Sequence, residues 1–164
     1  MQSTATYTPS GQYLSTVTDT LGNTVSYTYD EAKGELTSTT DANGNKTAYE
    51  NTYGSVNTSW VIADTDKNGT YSDGESYVRY RSSKGLLTSI DNNLNYYNFG
   101  YDSYGNRTRS SVGTYNLAEY VYNQVNGNLT SVQYGNGHET RYVYDNRISH
   151  FKKFSIKKAV RQQF

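Results

Sequence analysis

One phrase recurs along this chain, opened by a glycine and closed by a pair of aromatic residues, and a fold built from it must be a repeat. Glycines at 11, 34, 54, 85, 105 and 127 each begin a copy. The clearest openings are Gly34-Glu35-Leu36-Thr37-Ser38, Gly85-Leu86-Leu87-Thr88-Ser89 and Gly127-Asn128-Leu129-Thr130-Ser131. The closings are Tyr27-Thr28-Tyr29-Asp30, Phe99-Gly100-Tyr101-Asp102, Tyr120-Val121-Tyr122-Asn123 and Tyr142-Val143-Tyr144-Asp145. The period is 20 to 23 residues, except for a step of 31 between Gly54 and Gly85 that marks an inserted loop.

Within a copy the alternation has a period of two, the period of a strand. Val25, Tyr27 and Tyr29 share one face and Thr24, Ser26 and Thr28 the other, a pattern that Thr140, Tyr142 and Tyr144 repeat. The aromatic side is the expected packed face, a ladder of rings from copy to copy. Asp19-Thr20-Leu21-Gly22-Asn23 and Asp41-Ala42-Asn43-Gly44-Asn45 have the turn residues of hairpins, as do Asp30 to Gly34 and Asp102 to Gly105. The expectation is an all-β protein of about a dozen short antiparallel strands, forming a curved, repeat-built sheet over residues 1–145. A weak 3.6-residue apolar period occurs only in the tail, 146–164.

Composition narrows the function. Apolar residues are 34% of the 164 and charged residues 18%, both low for a globular chain, while tyrosine occurs 19 times. No apolar stretch is long enough to span a membrane, and the first residues lack the basic and apolar segments of a signal peptide. The absence of cysteine excludes disulfides, thiolate metal sites and cysteine nucleophiles. The formal charge is zero, but the tail carries six basic residues and no acid. The body is therefore acidic, and no nucleic-acid partner is expected. His138 and His150 can each be matched with many serines, yet no nucleophile-elbow spacing or phosphate loop is present, so the chain reads as non-enzymatic.

The insertion alone has site-like spacing. Residues 64–75 match Asp-x-Asp-x-Asn-Gly-x5-Glu, the pattern of a calcium loop. Asp64, Asp66 and Asn68 would offer side-chain oxygens, Thr70 its carbonyl, Ser72 its hydroxyl or a bound water, and Glu75 both carboxylate oxygens, with Gly69 permitting the sharp turn. Trp60-Val61-Ile62 before the loop and Tyr77-Val78-Arg79-Tyr80 after it read as strands, which places the loop at a hairpin tip. Calcium is the cofactor expected on this pattern; a metal-free turn rich in Asp, Asn and Gly is the competing reading.

The Tyr-x-Tyr-Asp closings, the Gly-Asn-Leu-Thr-Ser openings and the period near 20 resemble the YD repeats of Rhs proteins, including bacterial wall-associated proteins. The resemblance runs over residues 7–145, with degenerate closings at Ala48 to Asn51 and Val78 to Arg81 and no glycine soon after Asp145. It implies a spiral β-shell, secreted or at the cell surface, whose partners are neighbouring repeats of a larger polypeptide and an enclosed C-terminal toxin. On this reading the chain is a fragment of such a shell. The alternative is a carbohydrate-binding surface module, in which exposed tyrosines stack on sugar rings.

Overall fold

The computed structural model describes residues 2–145 and 151–158, and every regular element in them is a strand. In chain order these are β1 (Thr4–Tyr7), β2 (Leu14–Thr18), β3 (Thr24–Asp30), β4 (Glu35–Thr40), β5 (Lys46–Thr52), β6 (Asn57–Asp64) and β7 (Tyr77–Ser83). They continue with β8 (Leu86–Asn92), β9 (Tyr96–Tyr101), β10 (Arg107–Val112), β11 (Tyr115–Tyr122), β12 (Leu129–Tyr134), β13 (Glu139–Tyr144) and β14 (Phe151–Lys157). The chain divides into two compact units, residues 1–85 with 91–94 and residues 86–90 with 95–164. In the first, β1 to β7 each pair antiparallel with the next strand in sequence. In the second, β9 to β14 do the same. The all-β antiparallel repeat architecture is thus as expected. No helix among the described residues is long and apolar enough to cross a membrane.

The recurring phrase encodes a recurring irregularity. Tyr29 pairs with Leu36 while Thr28 pairs with Ser38, which leaves Thr37 as an extra residue in its strand. Tyr122 with Leu129 and Val121 with Ser131 leave Thr130 in the same position. Tyr7 opposite Leu14 leaves Ser15, and Tyr101 opposite Arg107 leaves Thr108. Each is a β-bulge, which bends its strand and increases its twist. In Leu36-Thr37-Ser38 and Leu129-Thr130-Ser131 the Thr is therefore the bulged residue. The Thr130 hydroxyl donates to the carbonyl of Val121 at 3.0 Å, across the two strands.

The turns follow from three Asp-x-x-Gly-Asn sequences. In each, one aspartate Oδ accepts from the backbone N–H groups two and four residues on, and the other accepts from the Asn side chain: Asp19 with Asn23, Asp41 with Asn45, and Asp102 with Asn106. The glycine before each Asn has positive φ, +91° at Gly22, +81° at Gly44 and +86° at Gly105, a conformation that a Cβ would strain.

The buried residues are small. Ser38, Ala48 and Ile62 form one buried row across β4 to β6, and in that row Ala48 and Ile62 are 0% exposed. The second unit buries Ser110 against its partner Ala118, and Val132 against Thr140. Tyr27, Tyr29, Tyr142 and Tyr144 are only half-buried. On the opposite faces Thr28, Arg141 and Val143 are exposed, so the aromatic side is the more covered side of β3 and β13, as expected, although its rings are not fully buried. A phenol keeps its hydroxyl beside water or a partner, as Tyr101 does by donating to the carbonyl of Leu87 at 2.7 Å. A Ser or Ala in mid-strand has little area to cover, and its neighbours cover all of it.

The segment read as a basic tail contains β14, so its weak helical period is not realised between Phe151 and Lys157. There β14 meets β13 in the same bulged register: Tyr144 faces Phe151, Val143 faces Lys153, and Lys152 is the extra residue. Residues 146–150 and 159–164 of that segment lie outside the described residues.

Candidate metal centre

The inserted loop occupies the tip of the β6–β7 hairpin, as the strand-like flanks suggest. Asp64 is the last residue of β6, and Lys46, the first of β5, stands directly opposite it in the ladder. The Lys46 ammonium lies 3.0 Å from Asp64 Oδ2 and donates to the carbonyl of Lys67 at 3.3 Å. Lys67 and Gly69 have φ of +62° and +89°, which turn the backbone sharply enough for the Gly69 N–H to reach Asp64 Oδ2 at 2.9 Å.

All six expected ligand residues are gathered in one network. Carboxylate oxygens of Asp64, Asp66 and Glu75 lie within 4.8 Å of one another. Asn68 Nδ2 donates to Asp66 Oδ2 at 2.9 Å and to Ser72 Oγ at 2.8 Å, and Ser72 Oγ donates to Asp66 Oδ2 at 2.7 Å. Thr70 joins through its N–H and hydroxyl, both donated to Asn68 Oδ1. Glu75 accepts from the N–H groups of Thr65, Asp66 and Ser72.

Two of these carboxylates are inside the protein, Asp64 at 1% exposure and Glu75 at 3%. Burial pushes Asp64 upward, but the hydrogen bonds from Lys46 and Gly69 outweigh it and hold the group below the ordinary aspartate range. Glu75 is likewise held low, first by the Ser72 N–H and then, against its desolvation, by those of Thr65 and Asp66. Both therefore carry their charge at neutral pH. Asp64 Oδ1 is buried and has no hydrogen-bond partner.

Several neighbours were not singled out in the sequence. Tyr71, inside the loop, stacks on Trp60 with ring centroids 5.4 Å apart and meets Tyr77 edge-on at 5.0 Å. Arg79 lies over Trp60 at 4.3 Å and forms a two-pronged pair with the buried Asp91, which also accepts from Arg81 at 2.7 Å. Arg79 and Trp60 are cross-strand partners, as are Lys46 and Asp64. The register that brings them together is the only signal that would have found them.

Residues 7–46 match the family model of the RHS repeat. This stretch runs from the last residue of β1 to the first of β5 and includes two of the Asp-x-x-Gly-Asn turns and two of the bulges. No curated protein matches the chain. Among solved structures, the crystal structure of TcdB2-TccC3-TEV is similar with a TM-score of 0.44 and 12% identity, over 95% of this chain and 10% of that one. The chain thus spans about a tenth of that structure's length. Residues 7–46 thus carry an RHS repeat, and its bulged Tyr-to-Leu register recurs beyond them at Tyr122 and Leu129.

Proposed function

We propose that this chain is a non-enzymatic wall segment of a larger secreted or cell-surface Rhs protein, in which successive hairpins build a β-shell around a C-terminal toxin. The observation that carries the reading is the bulge that recurs beside the closing aromatic pairs, though the β5–β6 ladder lacks one, because a bend repeated along a sheet curves it. Two strands also favour further repeats as partners. All residues of β1 are exposed, and β14 exposes Phe151, Phe154 and Ile156, an apolar strand of the kind that recruits another strand to its edge.

Sedimentation of the chain over a range of concentrations tests this role. Reversible oligomers that Phe154→Lys disperses are expected; a concentration-independent monomer refutes it. The carbohydrate-surface alternative keeps its exposed tyrosines, Tyr7, Tyr53 and Tyr104 among them, whereas the Trp60 ring is engaged by Tyr71, Tyr77 and Arg79.

A further inference from the structure

We infer that the β6–β7 loop is a calcium site with a built-in competitor, the Lys46 ammonium. Three carboxylate oxygens within 4.8 Å of one another are no farther apart than opposite ligands of a cation with metal–oxygen distances of about 2.4 Å. The second observation is independent of that clustering. Asp64 belongs to the group, is 1% exposed, and keeps Oδ1 without a partner, although an orphaned buried carboxylate oxygen is costly. A hard cation of high coordination number satisfies such an oxygen, and Asp66, Ser72 and Glu75 supply further oxygens around it.

Two nitrogen groups now do part of what a cation would do. The Lys46 ammonium partners Asp64 Oδ2, and Asn68 Nδ2 bridges Asp66 and Ser72. Turning the Asn68 amide over presents Oδ1 as an oxygen ligand, at the loss of the two bonds it accepts from Thr70. Lys46 has four methylenes and a side chain 20% exposed, so its charge can swing toward water when a divalent ion arrives. Calcium is favoured over magnesium because the loop offers many protein oxygens at flexible positions, whereas magnesium demands a tight octahedron and keeps its waters. Lys46 lowers the affinity through like-charge repulsion.

The protein carries its own reporter. Trp60 is the single tryptophan, and the ring stacked on it at 5.4 Å belongs to Tyr71, between the expected ligands Thr70 and Ser72. Calcium chloride titrated into the whole chain should change Trp60 emission and release or absorb heat at one site, with magnesium chloride much weaker. Asp66→Asn, at an exposed position, should abolish both responses. Lys46→Met should tighten binding by about tenfold or more, the scale of removing one adjacent positive charge; Lys46→Gln serves if far-UV circular dichroism shows that the Met variant is unfolded. The inference is overturned by a wild-type chain silent to millimolar calcium in both readouts, by Asp66→Asn binding like the parent, or by a folded Lys46 variant binding no tighter.

Discussion

The ring of Tyr13 stacks on that of Tyr29 with centroids 4.9 Å apart, and its hydroxyl lies where a side chain on Gly34 would begin. One copy of the repeat thus uses the glycine of the next as the floor for its aromatic. The Gly34 φ of +72° disfavours a Cβ, and the 3.0 Å approach of the Tyr13 hydroxyl disfavours it again. Gly127 has nearly the same φ, +71°, with open space around it.

Gly34→Ala should therefore cost more stability than Gly127→Ala, with the φ penalty of about 1 kcal/mol common to both. Urea unfolding of the two variants gives the comparison. In a double-mutant cycle, Tyr13→Leu and Tyr29→Leu should couple by roughly 0.5–1.5 kcal/mol. Equal glycine costs with no coupling would show that the two rings do not pack.

Ile62 is the largest fully buried aliphatic side chain among the described residues, whereas Tyr142 is half-buried. Ile62→Ala should cost about 2–5 kcal/mol, and Tyr142→Ala less than Ile62→Ala. Chemical denaturation measures both. A Tyr142 effect larger than that of Ile62 would contradict this ranking by burial.

Lys84 and Gly85 form the two-residue connection between β7 and β8, and both have positive φ, +51° and +76°. Two successive residues of positive φ make the turn in which Asn-Gly is preferred, because Asn tolerates the left-handed conformation better than Lys. Lys84→Asn should raise stability by about 0.5 kcal/mol, visible as a higher midpoint in thermal unfolding with no change in far-UV circular dichroism. A lower midpoint would contradict the turn assignment.

Acid should loosen the repeat turns. Asp19, Asp41 and Asp102 each sit below the ordinary aspartate range, foremost because an Asn side chain donates to the carboxylate. A group with a depressed folded pKa binds fewer protons in the native state than in the unfolded one, so its contribution is complete above the ordinary value of about 4. That contribution is lost as pH falls through the lower folded value. Melting temperature should thus be flat near neutrality and fall below about pH 4, and Asp19→Asn with Asp41→Asn should shallow the acid limb. An unchanged limb in that double variant would remove these aspartates as its cause.

The features legible from sequence alone were those whose physics is complete within a few consecutive residues. Alternation along Thr24 to Tyr29 made a strand, Asp41 and Asn45 closed a turn around Gly44, and the spacing from Asp64 to Glu75 arranged oxygens around one loop. Each depends on interactions between near neighbours in the chain. Lys46 opposite Asp64, Arg79 over Trp60, and the buried row through Ser38, Ala48 and Ile62 belong to another class. They depend on register, which is set by turn length together with every bulged residue, and one residue of slip would move each side chain to the other face. Tertiary structure therefore decided which charge meets the loop, which ring stacks against it and which face becomes dry.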